Sequence, residues 1–134
     1  MGIKGKMFGE LESKGAIKIG RKTVKYEDVS TGKRGAKLVY TGDCTPSEKT
    51  VTAAKGADLL VHEATYASDK EAEAREHLHS TAADAARIAG KAGVKKLVLI
   101  HVSGRYKTPA LHLSDARAIF PETEVAADGL EFSI

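Results

Sequence analysis

Three short apolar runs in this chain each end on a residue able to bind a metal or move a proton. Lys37–Tyr40 leads through Thr41-Gly42 to Asp43, Leu59–Val61 leads to His62-Glu63, and Leu97–Ile100 leads to His101. Carboxylates and imidazoles are the side chains that ligate divalent metals and transfer protons near neutral pH. Two helix-like stretches separate the runs, so the order reads strand, helix, strand, helix, strand. Strands joined by such crossovers run parallel and end on one edge of the sheet. Asp43, Glu63 and His101 are therefore expected to converge where open α/β sheets place their chemistry.

Each residue alone also fits a structural role. Asp43, after Gly42 and before a helix, suits a turn. His101 suits a hydrogen-bonded core histidine, and Arg105, in Ser103-Gly104-Arg105-Tyr106, an exposed arginine. His77 and His79 have His-x-His spacing, but two ligands do not make a zinc site. Glu63 beside His62 is harder to dismiss, because a buried carboxylate is costly unless paired or used.

The elements that position these residues follow from capping and periodicity. Thr45-Pro46-Ser47-Glu48 reads as a helix start with Thr45 as N-cap, and Gly56 as its left-handed stop. Thr81 with Asp84 repeats the N-terminal signature. Ala85, Ile88, Ala89 and Ala92 then mark one buried helical face, Gly93 ends the helix, and Lys96–Ile100 is a strand. A shorter helix is expected over Ser114–Ile119. Thr123–Ala126 and Leu130–Ile134, around Asp128-Gly129, read as a closing hairpin. Residues 1–35 read as a basic, Gly-rich β segment, with strand-like pieces at Ala16–Ile19 and Thr23–Tyr26. Residues 36–134 read as the α/β part of a single domain spanning 1–134.

Composition sets modest bounds. The 134 residues carry 21 Lys and Arg against 18 Asp and Glu, for a formal charge of +3, too small by itself to announce a nucleic-acid binder. Lys4, Lys6, Lys14, Lys18, Arg21, Lys22 and Lys25 crowd the start, which charge alone reads as a solvated face. Cys44 is the only cysteine; it excludes an internal disulfide and suggests a reducing compartment, the cytoplasm. No apolar run approaches the ~20 residues of a membrane span. The strands at 59–61 and 97–100 are continuously apolar, as in sheets covered on both faces, yet the helices suffice for only one.

Taken together the motifs are similar to a known family. Gly42-Asp43, His62-Glu63-Ala64-Thr65, His79-Ser80-Thr81 and His101-Val102-Ser103-Gly104-Arg105-Tyr106 resemble, in order and spacing, the C-terminal half of ribonuclease Z. That family is the tRNA 3′-processing endonuclease branch of the metallo-β-lactamase fold. The resemblance implies a site for two zinc ions, with Asp43 bridging the pair and His101 binding one of them. It implies proton transfer by Glu63 with His79, and phosphate binding by Arg105. It also implies an α/β fold: half of an αββα sandwich, with a parallel β-α-β-α-β core in a mixed sheet and helices on one face. The family's remaining metal ligands belong to an N-terminal half with no counterpart here, so the chain alone is expected to be inactive. Cys44 stands where the family usually has threonine.

These implications lead to three expected outcomes. With a complementing N-terminal chain, pre-tRNA is the expected substrate. Without one, Val98, Ile100 and their neighbours are expected to bury against a second copy, giving an inactive, self-associating half-domain. The third is another hydrolase of the same fold.

Overall fold

Lysine, glutamate and leucine make a helix of what reads as a β-like segment. The computed structural model describes residues 3–134 and places α1 at Lys6–Lys14, with Leu11 buried. The purely β expectation for the first 35 residues is thereby corrected: helix formers fill this stretch, and its glycines masked the signal. The expected strand pair follows, β1 (Ala16–Ile19) antiparallel to β2 (Lys22–Lys25), and then a single turn, α2 (Tyr26–Val29). The chain divides after Gly35 into two units.

The second unit is built on four strands: β3 (Leu38–Tyr40), β4 (Leu59–Glu63), β5 (Lys96–Ile100) and β6 (Thr123–Val125). They lie in chain order and all pair in parallel. The helices are α3 (Glu48–Ala54), α4 (Glu71–Glu76), α5 (Ala82–Ala92) and α6 (Ala110–Arg117). Leu60, Leu97 and Leu99 point from the sheet into one core with Ala82, Ala85, Ala86, Ile88, Ala89 and Ala92 of α5. Methyl side chains along that face let the helix backbone lie close to the strands, so small residues still fill the space.

Helix ends explain most of the agreement and one error. Thr81 caps α5 through a full capping box: its hydroxyl accepts from the Asp84 N–H at 3.1 Å, and Asp84 Oδ2 accepts from the Thr81 N–H at 3.0 Å. Arg75 clamps the same carboxylate with two bonds of 2.9 and 3.0 Å. Gly93 closes the helix with φ 62°. The N-cap of α3 is Ser47, whose side chain accepts from the Thr50 N–H, and not Thr45. Pro46 thus precedes the cap instead of opening the helix.

Because Thr81 begins the helix that follows His79-Ser80, the cap also holds that loop. Thr81→Ala should lower stability by about 1–2 kcal/mol, seen as a lower urea midpoint at unchanged slope. A midpoint equal to wild type would show that Asp84 and Arg75 hold the helix start without Thr81.

Two further expectations are corrected. The last helix begins at Ala110, four residues before Ser114, and ends at Arg117. The closing hairpin does not form among the described residues: β6 returns from α6 to join β5 in parallel, and 130–134 carries no strand. Phe132 instead lies beneath the Lys96 ammonium, 4.9 Å from ring centroid to nitrogen, a cation–π contact. On the sheet side opposite the leucine core, Val98 is already buried within the chain, and Ile100 is half-buried. The exposed apolar residues of β3 are Leu38 and Tyr40, at 52% and 64%.

Candidate active site

Parallel strands bring the ends of β3, β4 and β5 to one edge, and the loops beyond them form a cluster. Gly42 adopts φ 60°, a turn open to glycine without steric cost, and delivers Asp43. Asp43 Oδ1 lies 3.4 Å from His101 Nδ1. His101 itself has φ 57°, and Leu78, just before His79, has φ 60°. Non-glycine residues in this region are held there by their surroundings at a cost of about 1 kcal/mol or more. One belongs to the cluster and the other adjoins it.

Glu63 is the buried centre. Its Oε1 accepts from the Cys44 N–H (3.1 Å), the Ser80 N–H (2.9 Å) and His79 Nδ1 (2.9 Å). Its Oε2 accepts from the Thr65 N–H and the Thr65 hydroxyl, both at 2.9 Å. Burial by itself pushes the carboxyl pKa up, but these donors together outweigh it and hold Glu63 below its ordinary value. Hydrogen bonds to the charged form act in this direction. Glu63 is thus an ionised, fixed acceptor that orients His79.

His62 takes no part in that cluster. It is fully buried, and its Nδ1 donates to the Glu63 carbonyl at 2.7 Å. Burial holds it below the ordinary histidine value. Its Nε2 lies 3.9 Å from Cys44 Sγ, and burial pushes that thiol up, keeping it protonated.

Of the residues picked out in the sequence, Asp43, Glu63, His79 and His101 are brought together. Arg105 is not: it sits exposed on the loop after β5, and its charge reaches Glu73. Two residues were missed. Thr65 Oγ1 lies 3.1 Å from His79 Nδ1 and 2.8 Å from His101 Nδ1, besides its bond to Glu63. Its signal was its place two residues beyond Glu63, where a hydroxyl can bond back to the strand end. His112, on α6, is fully buried with its ring edge-on to Tyr106 at 4.5 Å, and neither ring nitrogen has a hydrogen-bond partner.

Asp43, His79 and His101 form the one group, among the described residues, able to hold a metal ion, with donor atoms all within 4.8 Å of one another. One carboxylate and two imidazoles are a donor set suited to zinc, and three protein ligands leave a coordination position open. The set fits one ion. A pair of ions would need more ligands than these residues offer.

Comparison with known proteins identifies the family. Residues 27–102 match the beta-lactamase superfamily domain. Ribonuclease Z of Ignicoccus hospitalis is 42% identical over 127 residues, covering 95% of this chain and 42% of that protein. The crystal structure of human tRNase Z, short form, superposes with a TM-score of 0.60 at 32% identity, over 84% of this chain and 36% of that one. The metallo-beta-lactamase fold protein YhfI from Bacillus subtilis superposes at 0.64 with 26% identity, over 69% of this chain and 38% of its own. The chain spans about two fifths of the length of the curated relatives it matches. The four parallel strands with their helices, together with the antiparallel pair, make the α/β half of a metallo-β-lactamase fold. With more than half of its residues inside the matched domain, this chain belongs to the beta-lactamase superfamily.

Proposed function

We propose that residues 1–134 form one functional unit, the C-terminal half of a ribonuclease-Z-like phosphodiesterase acting in tRNA 3′-end maturation. The carrying observation is the Glu63–His79 pair at 2.9 Å beside the Asp43–His79–His101 group. Of that group, Asp43 and His101 would hold the metal, zinc, while His79 is kept for proton transfer, so the ligands still needed would come from another segment. Zinc held there would supply a nucleophilic hydroxide and neutralise charge on the phosphoryl oxygens. Glu63 holds the His79 ring so that it can give a proton to the departing ribose oxygen, an arrangement suited to general acid catalysis. Arg105, exposed on the loop after β5, would bind a phosphate of a bound RNA, for which its planar fork is suited. The relatives named ribonuclease Z support the tRNA reading, and among the described residues no helix is long and apolar enough to cross a membrane.

The deciding experiment mixes the purified chain with a pre-tRNA carrying a 3′ trailer, with and without a separately expressed N-terminal segment of a ribonuclease Z. Cleavage at the trailer junction only with both segments is the expected result. Cleavage with neither, despite a stable complex of the two, would overturn the reading.

A second reading has an observation of its own. Leu38 and Tyr40 are exposed side by side on one face of the edge strand β3, and exposed apolar strands invite pairing. A metal-free homodimer without cleavage activity would favour a self-associating half-domain over an enzyme.

A further inference from the structure

We propose that Thr65 is a positioning residue that fixes the tautomers of both site histidines, leaving each with its Nδ1 protonated and its Nε2 free. The assignment follows from counting protons around a single oxygen. A hydroxyl has one proton to give and two lone pairs to accept with. Thr65 Oγ1 has three neighbours at bonding distance: Glu63 Oε2 at 2.9 Å, His79 Nδ1 at 3.1 Å and His101 Nδ1 at 2.8 Å.

The carboxylate can only accept. His79 Nδ1, 2.9 Å from Glu63 Oε1, must therefore carry the proton that makes this contact favourable. For His101 two arrangements compete. If Thr65 gave its proton to His101, its own lone pairs would face Glu63 Oε2. The His101 Nδ1 lone pair would then also face Asp43 Oδ1 at 3.4 Å. Both are contacts between acceptors. If Thr65 gives its proton to Glu63 and accepts from His101 Nδ1–H, every contact becomes donor to acceptor. Thr65 then gives one bond, receives one from His101, and shares with Glu63 Oε1 the single proton on His79 Nδ1. It is only 6% exposed, so no water is needed to complete it.

The consequence reaches the chemistry. A histidine whose Nδ1–H is held by an outer partner presents Nε2 alone to a metal or a substrate, and such partners orient the ring. That use of the two Nε2 edges, His101 toward a metal and His79, once it has taken up a second proton there, toward a leaving group, rests on the function proposed above. The proton assignment itself does not.

The test is long-range proton–nitrogen correlation NMR of the ¹⁵N-labelled chain at about pH 8, where histidine is ordinarily neutral. His79 and His101 are expected to show the Nδ1–H pattern in the wild type. Thr65→Val, which keeps the shape and removes the hydroxyl, should move His101 toward the Nε2–H pattern. It should leave His79, still held by Glu63, unchanged. Thr65→Ser should restore the wild-type pattern, a rescue that loss of packing would not produce. An Nε2–H pattern for His101 in the wild type overturns the proposal even if the valine variant fails to fold. So does a His101 pattern indifferent to valine. Neither readout depends on RNA cleavage, so the tautomer assignment and the enzyme reading fail separately.

Discussion

Replacing Glu63 by alanine should destabilise the fold by at least about 2 kcal/mol, since two buried backbone N–H groups and one half-buried one lose their acceptor, at roughly 1–3 kcal/mol for each buried group. The donors are Cys44, Thr65 and Ser80, and they tie the loops after β3 and β4 to the start of α5. Domains of this kind are stable by only about 5–15 kcal/mol, so the loss is a large fraction of the whole. Glu63→Gln should also destabilise, though less. Each carboxylate oxygen receives at least one backbone N–H, so an amide must turn its own NH₂ toward a donor in either orientation.

Urea unfolding of the three proteins at neutral pH checks this order. An alanine variant within 1 kcal/mol of wild type, roughly the net worth of one hydrogen bond, would show that water replaces the carboxylate without cost. The same carboxylate has a pH signature. Its folded pKa lies below the ordinary 4.5, so the unfolded chain takes up the proton first as pH falls. The stability it contributes is full above that value and is lost as pH drops through the lower, folded one. Glu63→Gln should flatten this acid limb.

His112→Phe should act the other way and raise stability by about 1–3 kcal/mol, the desolvation cost of a buried polar group with no partner. The imidazole is enclosed by Tyr106 and the core of α6, and burial holds its pKa below the ordinary 6.5. The Thr65 and Ala64 carbonyls face the ring and favour its charged form without overturning burial, but neither meets hydrogen-bond geometry with a ring nitrogen. An apolar ring of similar shape keeps the packing and removes the cost. Tyr106 stays anchored independently, its hydroxyl donating to Asp69 at 2.7 Å and accepting from the Ala67 N–H at 3.1 Å.

The sign with pH follows from the lowered value. The unfolded chain binds the proton more readily, so stability falls as pH drops below 6.5 and is undiminished above it. His62 is lowered in the same direction, so the phenylalanine variant should lose part of this dependence below the ordinary 6.5 and keep the rest. Thermal unfolding across that range measures both effects. A destabilised variant would show that an imidazole N–H is bonded to the Thr65 or Ala64 carbonyl after all.

Much of this protein was determined by the sequence alone, for reasons that are local. Strands ending on Asp43, Glu63 and His101 were legible because continuous apolar runs between helical stretches force parallel pairing, and parallel pairing puts the ends together. The α5 boundaries were legible because Thr81, Asp84 and Gly93 act on their own neighbours. What failed locally failed for want of a strong signal: α1 has a single buried residue, and Ser47 and Thr45 are rival caps two residues apart. Only the tertiary structure decided the rest. Leu130–Ile134 has strand-like composition, but Phe132 finds Lys96 on the sheet face instead of a partner strand. Arg105 shares a motif with His101, yet its loop holds it away from the cluster. Thr65 and His112 look ordinary in the chain. One becomes the junction of three site residues and the other an enclosed, unpaired base, because hydrogen-bond saturation and burial depend on segments distant in sequence and meeting only in the fold.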